Sequence, residues 1–284
     1  MKKSTLFVAA LALGMTTAFA QDLTSKKGEP ILPEAGDWAI GVDATPLLTY
    51  FGNMANGGTN GAFGWNYTNS SNMITGKMFV SETMAYRAML RIGFGSSKWT
   101  NLVVDNTSTS NPVDMTEDEL KSSWNFIGLG GGIEMRRGKG RLQGYYGGML
   151  MFGMGGAKDV YTYGNDFTST NQAPTTTTDF TTGASAGVGS RALEIKYGST
   201  MMLGLRGFIG AEFFVLPKIS VGGEFGWGLS FMKTGAGEME VETANGTASD
   251  TNSSETGTSS SFGIDTDNNA FGLAPAAVLV HFHF

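Results

Sequence analysis

The stretch MMLGLRGFIGAEFFVLPKISVGGEFGWGLSFM, residues 201–232, decides the fold. Successive side chains of a β-strand point to opposite faces, so a strand can be split by parity. Before the turn, Leu203, Leu205, Ile209, Ala211, Phe213 and Val215 share one face. Met202, Gly204, Arg206, Phe208 and Glu212 share the other. After the tight Leu216-Pro217-Lys218 connection the pattern repeats: Ile219, Val221, Phe225, Trp227, Leu229 and Phe231 oppose Ser220, Gly222, Glu224, Gly226, Gly228 and Ser230. This is a β-hairpin with one long apolar face. Its other face holds glycine, serine and scarce charges of both signs.

The same parity runs outward from this hairpin. Met84, Tyr86, Ala88, Leu90, Ile92 and Phe94 oppose Ala85, Arg87, Met89, Arg91 and Gly93. Leu142, Tyr146, Leu150 and Phe152 oppose Arg141, Gln143, Tyr145 and Met149. Eight strands are expected near 37–47, 73–80, 84–95, 123–135, 141–153, 201–215, 219–232 and 270–284. A further segment, Ala192 to Tyr197, would either extend a hairpin or raise the count to ten. Three connections are tight: Ser81-Glu82-Thr83, Arg137-Gly138-Lys139-Gly140 and Leu216-Pro217-Lys218. Four are long: 48–72, 96–122, 154–200 and 233–269. Strict alternation of short turns with long loops is the mark of an antiparallel up-and-down transmembrane β-barrel.

A soluble barrel lining a ligand with its apolar face would carry many charges outside. Here the polar face is thin in charge and rich in glycine, so it is placed in the lumen. Asp43, Lys77, Arg87, Arg91, Glu134, Arg206, Glu212 and Glu224 are the expected lumen network, paired because an unpaired buried ion is costly. Aromatics at strand ends, Trp38, Tyr86, Phe213 and Phe282 at one rim and Phe94, Phe152 and Phe231 at the other, suit two interfacial girdles.

Composition agrees. Glycine reaches 42 residues, charge is 15% and hydrophobic residues are 41%, too many for a disordered chain. A net charge of -6 disfavours nucleic acid as partner. The absence of cysteine closes the disulfide and lipoprotein routes. Residues 1–20 read as a signal peptide: Lys2 and Lys3, the apolar run Leu6 to Leu13, then Ala18-Phe19-Ala20 as cleavage site. Residues 21–36 read as a periplasmic lead-in and 37–284 as the barrel.

The chain ends Val278-Leu279-Val280-His281-Phe282-His283-Phe284, with Phe284, Phe282 and Val280 on one face. This resembles the C-terminal sorting signal of bacterial outer-membrane β-barrels. The segment 37–284 resembles the small barrels of the outer membrane protein A and X type, and Gly210 to Gly228 is similar in style to barrels of Bacteroidota. The resemblance implies a Gram-negative cell outer membrane as the location. Its implied partners are outer-membrane lipid, lipopolysaccharide and the barrel-assembly machinery.

No catalytic constellation is expected. His281-x-His283 offers two imidazoles where zinc wants three or four ligands, so both are read as plain strand residues, and no metal or cofactor is assigned. With no histidine near the outer rim, a serine nucleophile there would lack its base. Asp265-Thr266-Asp267-Asn268-Asn269 begins like a calcium loop but has Ala270 and Ala276 where glycine and glutamate belong. The runs Gly128 to Gly132 and Gly153 to Gly156 lack the features of phosphate loops. The Thr/Ser/Asn tracts Thr168 to Thr182 and Thr243 to Ser261 read as mobile, exposed loops. The expected function is a non-enzymatic outer-membrane barrel with a structural or surface-contact role through its long loops. A small porin-like channel, a barrel enzyme acting on lipid and a soluble periplasmic ligand-binding barrel are the alternatives.

Overall fold

The computed structural model describes residues 24, 25, 27–44, 50, 52–58, 74–138, 140–265 and 276–284. Its strands are β1 (Trp38–Asp43), β2 (Ile74–Ser81), β3 (Met84–Val104), β4 (Met115–Arg137), β5 (Leu142–Thr162), β6 (Thr175–Asp179) and β7 (Ala184–Gly187). They continue as β8 (Ser190–Lys196), β9 (Thr200–Leu216), β10 (Ile219–Thr234), β11 (Glu238–Ala244), β12 (Ser249–Glu255), β13 (Ser259–Asp265) and β14 (Ala276–His283).

Eight of these form a closed antiparallel ring in the order β1, β2, β3, β4, β5, β9, β10, β14 and back to β1. They are the eight strands marked by period-two apolarity. Ala192 to Lys196 lies in β8, outside the ring, so the count is eight and not ten. The ring is shut where its first strand meets its last: Trp38 N–H donates to Phe284 O and Phe284 N–H to Trp38 O, both at 2.9 Å.

Parity decides which face turns inward. Arg206, Phe208, Glu212, Ser220 and Glu224 are buried, while Leu203, Leu205, Ile209, Phe225 and Trp227 are exposed. On β3, Ala85, Arg87 and Met89 are buried against exposed Tyr86, Leu90 and Ile92. The outer face is thus apolar, and the buried charged side chains point into the ring beside apolar ones such as Met89 and Phe208, the inverse of a water-soluble sheet.

The three tight connections gather at one end of the ring. Lys218, at φ 65°, turns the β9–β10 hairpin, and its ammonium reaches Asp37 Oδ2 at 2.7 Å. Residues 30–36 fold back against this end. Ile31 and Pro33 are buried there, and Gly36 N–H donates to Phe79 O at 2.8 Å.

The other end corrects the sequence reading. Much of 96–122, 154–200 and 233–269, expected as long loops, is sheet. β3, β4 and β5 run for 21, 23 and 21 residues, well past the ring. β8 pairs with the far end of β5, β11 with β8, and β12 with β11, while β13 pairs with the far half of β10. The reason lies in solvation. From Ser96 to Thr100 both faces of β3 are exposed, so no apolar alternation marks this part of the strand. Most of 243–261 is likewise strand, and 168–182 contains β6, whose Thr176 and Thr177 are buried. Most of 48–72 and residues 266–275, including the candidate calcium loop, lie outside the described residues.

Glycine makes the interior possible at specific contacts. A Cβ on Gly226 would stand 2.1 Å from Arg206 Nη2. Gly226→Val should therefore displace the guanidinium and destabilise the ring by roughly 1–3 kcal/mol. Gly223→Ala, whose Cβ meets nothing within 4 Å, should change stability little. Urea midpoints of the two variants check the contrast.

Candidate functional site

The interior near the turn end holds a continuous ion network. Lys77 on β2 lies 3.2 Å from Glu134 on β4 and 3.5 Å from Glu212 on β9. Arg87 on β3 meets Glu224 on β10 at 2.6 Å and approaches Glu134 at 3.5 Å. Arg206 meets the other oxygen of Glu224 at 2.6 Å. Arg136 joins Glu134 at 2.6 Å and Glu212 at 2.7 Å.

Position in the ring explains the geometry. β2 and β9 lie four places apart among eight, as do β3 and β10. The Lys77–Glu212 and Arg87–Glu224 pairs therefore span the full diameter. Their side chains have almost no solvent exposure.

Among the described residues the network contains four cations, Lys77, Arg87, Arg136 and Arg206, against three carboxylates, Glu134, Glu212 and Glu224. Aromatic faces offset the surplus. Lys77 Nζ lies 4.8 Å from the Tyr145 ring centroid, and the Arg87 guanidinium 4.2 Å from that of Phe208. Arg136 sits between Phe79 and Phe214 at 5.2 and 5.8 Å. Ring quadrupoles attract cations most strongly where water is excluded.

Both histidines enter this network. Ser220 Oγ donates to Glu212 Oε1 at 2.6 Å and lies 2.9 Å from His283 Nε2. With the one hydroxyl proton on the carboxylate, His283 Nε2–H is the donor to Ser220. His281 Nδ1 lies 3.0 Å from Glu212 Oε1 but outside hydrogen-bonding geometry. Ser220 and His283 thus hold the reverse of a nucleophile–base contact, in which the serine proton would go to the imidazole. Both are buried. Among the described residues no group of three or more His, Asp or Glu side chains is arranged to hold a metal.

Of the eight residues expected in the lumen, the structure joins Lys77, Arg87, Glu134, Arg206, Glu212 and Glu224. Arg91 is half-buried, with its guanidinium 4.9 Å from the Phe126 centroid. The side chain of Asp43 lies outside the described residues. Sequence reasoning missed Arg136, although it shares the parity of Glu134 on one strand. It also read His281 and His283 as plain strand residues, although they share the parity of buried Leu279. Phe282 and Phe284 are exposed and Val280 half-buried on the outer face.

No family model and no curated protein matches the chain. Its functional reading rests on this geometry.

Removing one partner of a buried pair strands the other. Glu224→Gln leaves Arg87 and Arg206 without their shared carboxylate and should cost about 3–5 kcal/mol. Equilibrium unfolding in urea should show this as a lowered midpoint. Glu119→Gln, which removes the partly exposed partner of an exposed Lys98, should shift it far less.

Proposed function

We propose that the chain is a non-enzymatic outer-membrane β-barrel, sealed across its bore and acting through the sheet that extends beyond the ring. One observation carries the reading: the exposed apolar side chains go all the way round. Ile40 on β1, Val80 on β2, Leu90 on β3, Ile133 on β4, Leu150 on β5, Ile209 on β9, Phe225 on β10 and Phe282 on β14 are each exposed. Such a belt greatly exceeds the apolar patches that soluble monomers tolerate. A protein partner would cover one side, whereas lipid covers every side.

The dimensions support the same environment. Phe152, Leu203 and Phe231 form one cross-strand row, and Phe213 lies ten residues from Leu203 along β9. That run rises roughly 33 Å along the strand. At the ~40° tilt of membrane barrels it spans about 25 Å, the height of an apolar band. The far halves of β3, β4 and β5 would then stand clear of the membrane. Phe284, Phe282 and Val280 on the outer face fit a C-terminal sorting signal for the assembly machinery.

The sealed interior favours a structural and surface-contact role over conduction. A porin needs a wet lining, whereas the diameter here is crossed by ion pairs that water does not reach. Planar-bilayer recordings of the purified protein should show no stable unit conductance. A reproducible conductance step would overturn the sealed reading while leaving the membrane reading intact.

The membrane reading has its own test. Ile209, 61% exposed, lies near the middle of the proposed span. Ile209→Arg should destabilise the protein in bilayers by about 2–4 kcal/mol, as for other cations on the lipid face. The wild-type protein should sediment with outer membranes and need detergent for extraction. Recovery of wild type as a soluble periplasmic protein, with Ile209→Arg neutral, would sink the proposal.

A further inference from the structure

Beyond the ring, the β6–β7 hairpin closes over the ends of β4, β5 and β8 and leaves a cleft of about 430 Å³. Its walls are anchored by buried polar groups. Asp118 on β4, 0% exposed, accepts from Gly164 N–H at 2.9 Å and from Thr177 N–H at 2.7 Å. One carboxylate thereby ties the hairpin to β4 and to the chain leaving β5. Arg191 on β8 donates to Glu242 at 2.5 Å and to Thr176 Oγ1 at 3.2 Å. Its guanidinium lies 4.3 Å from the Tyr163 centroid. Tyr163 O–H donates to Ala192 O at 2.8 Å. These contacts build a fixed cavity from a stretch whose composition reads as loop.

The cleft surface has a definite chemistry. Tyr161 and Tyr163 lie nearly parallel, at 9° with centroids 6.2 Å apart, and Phe180 leans against Tyr161 at 6.0 Å. The charges around it are already engaged. Arg191 is paired with Glu242, and Asp179 accepts from Thr181 N–H and from the Thr182 hydroxyl, both at 2.8 Å. An anionic ligand finds no unpaired cation among these residues, since Arg191 is held by Glu242. What the walls offer is flat aromatic surface and neutral hydroxyls. Thr177 also lines the cleft; it is buried, and its Oγ1 has no hydrogen-bond partner. A hydroxyl held dry and unpaired is costly, and such groups are rare without a functional cause.

From these features we infer that the cleft is a binding site for a neutral saccharide of one or two rings. A pyranose presents a C–H face that stacks on aromatic rings and a rim of uncharged hydroxyls. The volume lies in the range of small-molecule sites. The inference deepens the surface-contact role proposed above by naming its ligand class. The binding itself is read on purified protein, so its failure and failure of the membrane reading are separate results.

The test uses the full chain, purified in a detergent without a sugar headgroup. Cellobiose, maltose and N,N′-diacetylchitobiose are titrated separately and followed by saturation-transfer NMR and calorimetry. Saturable binding of at least one is expected. Tyr161→Ala and Phe180→Ala should each weaken it roughly tenfold, and Tyr161→Phe should retain it. Thr177→Val keeps the shape and removes the unpaired hydroxyl. It should weaken binding severalfold while the unfolding midpoint stays level or rises, a combination that a merely structural threonine would not give. Absence of binding by all three disaccharides would overturn the inference. So would unchanged affinity in folded Thr177→Val and Phe180→Ala, or binding of glucuronate or glucosamine in place of the neutral sugars.

Discussion

Charges can sit inside this ring only because each finds its counter-ion there, two of the pairings reaching straight across. Lys77 to Glu212 and Arg87 to Glu224 join strands on opposite sides of the ring. The energetic meaning of such pairs is asymmetric. Desolvating the ions offsets most of what their attraction returns, so the pairs add little net stability, but any unpaired alternative is far worse. Their consequence is specificity of register. Sliding one strand by a single residue would turn its ions outward and its leucines inward. With pairing partners on β2, β3, β4, β9 and β10, a slip in any one of them strands ions on others.

The outward face follows from the inward one. A strand offers two faces only, so fixing Arg206, Glu212 and Glu224 inside leaves Leu205, Ile209, Phe225 and Trp227 outside. The interior must also fit around long side chains. Gly226 lies beside Arg206 and Gly41 beside His281, where even a Cβ would collide. Glycine on the inner face therefore reflects crowding, not backbone flexibility. The inner aromatics fill what remains and hold the surplus cation. Phe79, Phe214 and Phe208 each lie near a guanidinium rather than merely near other apolar groups.

Legibility in the sequence tracked solvation. Where one face is buried and the other is not, parity names every residue, and the faces of 84–95 and 201–232 emerged with their ions correctly sorted. The same rule reaches Arg136 and His281, which share the inward parity of Glu134 and Leu279. Past the ring, both faces of β3 are exposed from Ser96 to Thr100, and Ser96 to Lys98 carry no alternation to read. The pairings of β8 with β11 and of β10 with β13 depend on chain geometry far from either strand. Asp118 and Arg191 sit in segments of ordinary polar composition, so nothing local distinguishes them from solvated neighbours. Their burial is a tertiary fact.

The extended sheet poses a problem that the ring does not. A closed ring has no edges, but β12 and β13 end the sheet with β11 and β10 as their respective partners among the described residues. Exposed edges invite pairing with other chains unless their composition discourages it. Here β12 reads Ser-Asp-Thr-Asn-Ser-Ser-Glu and β13 begins with three serines. β12 has no apolar face to bury, so adding another strand to it gains backbone hydrogen bonds and little else; β13 differs, with Phe262 and Ile264 exposed on one face. The Thr/Ser/Asn bias that reads as low complexity is thus compatible with order. It lets strands held by their neighbours stand in water, while the β6–β7 hairpin shelters Tyr161 and Phe180.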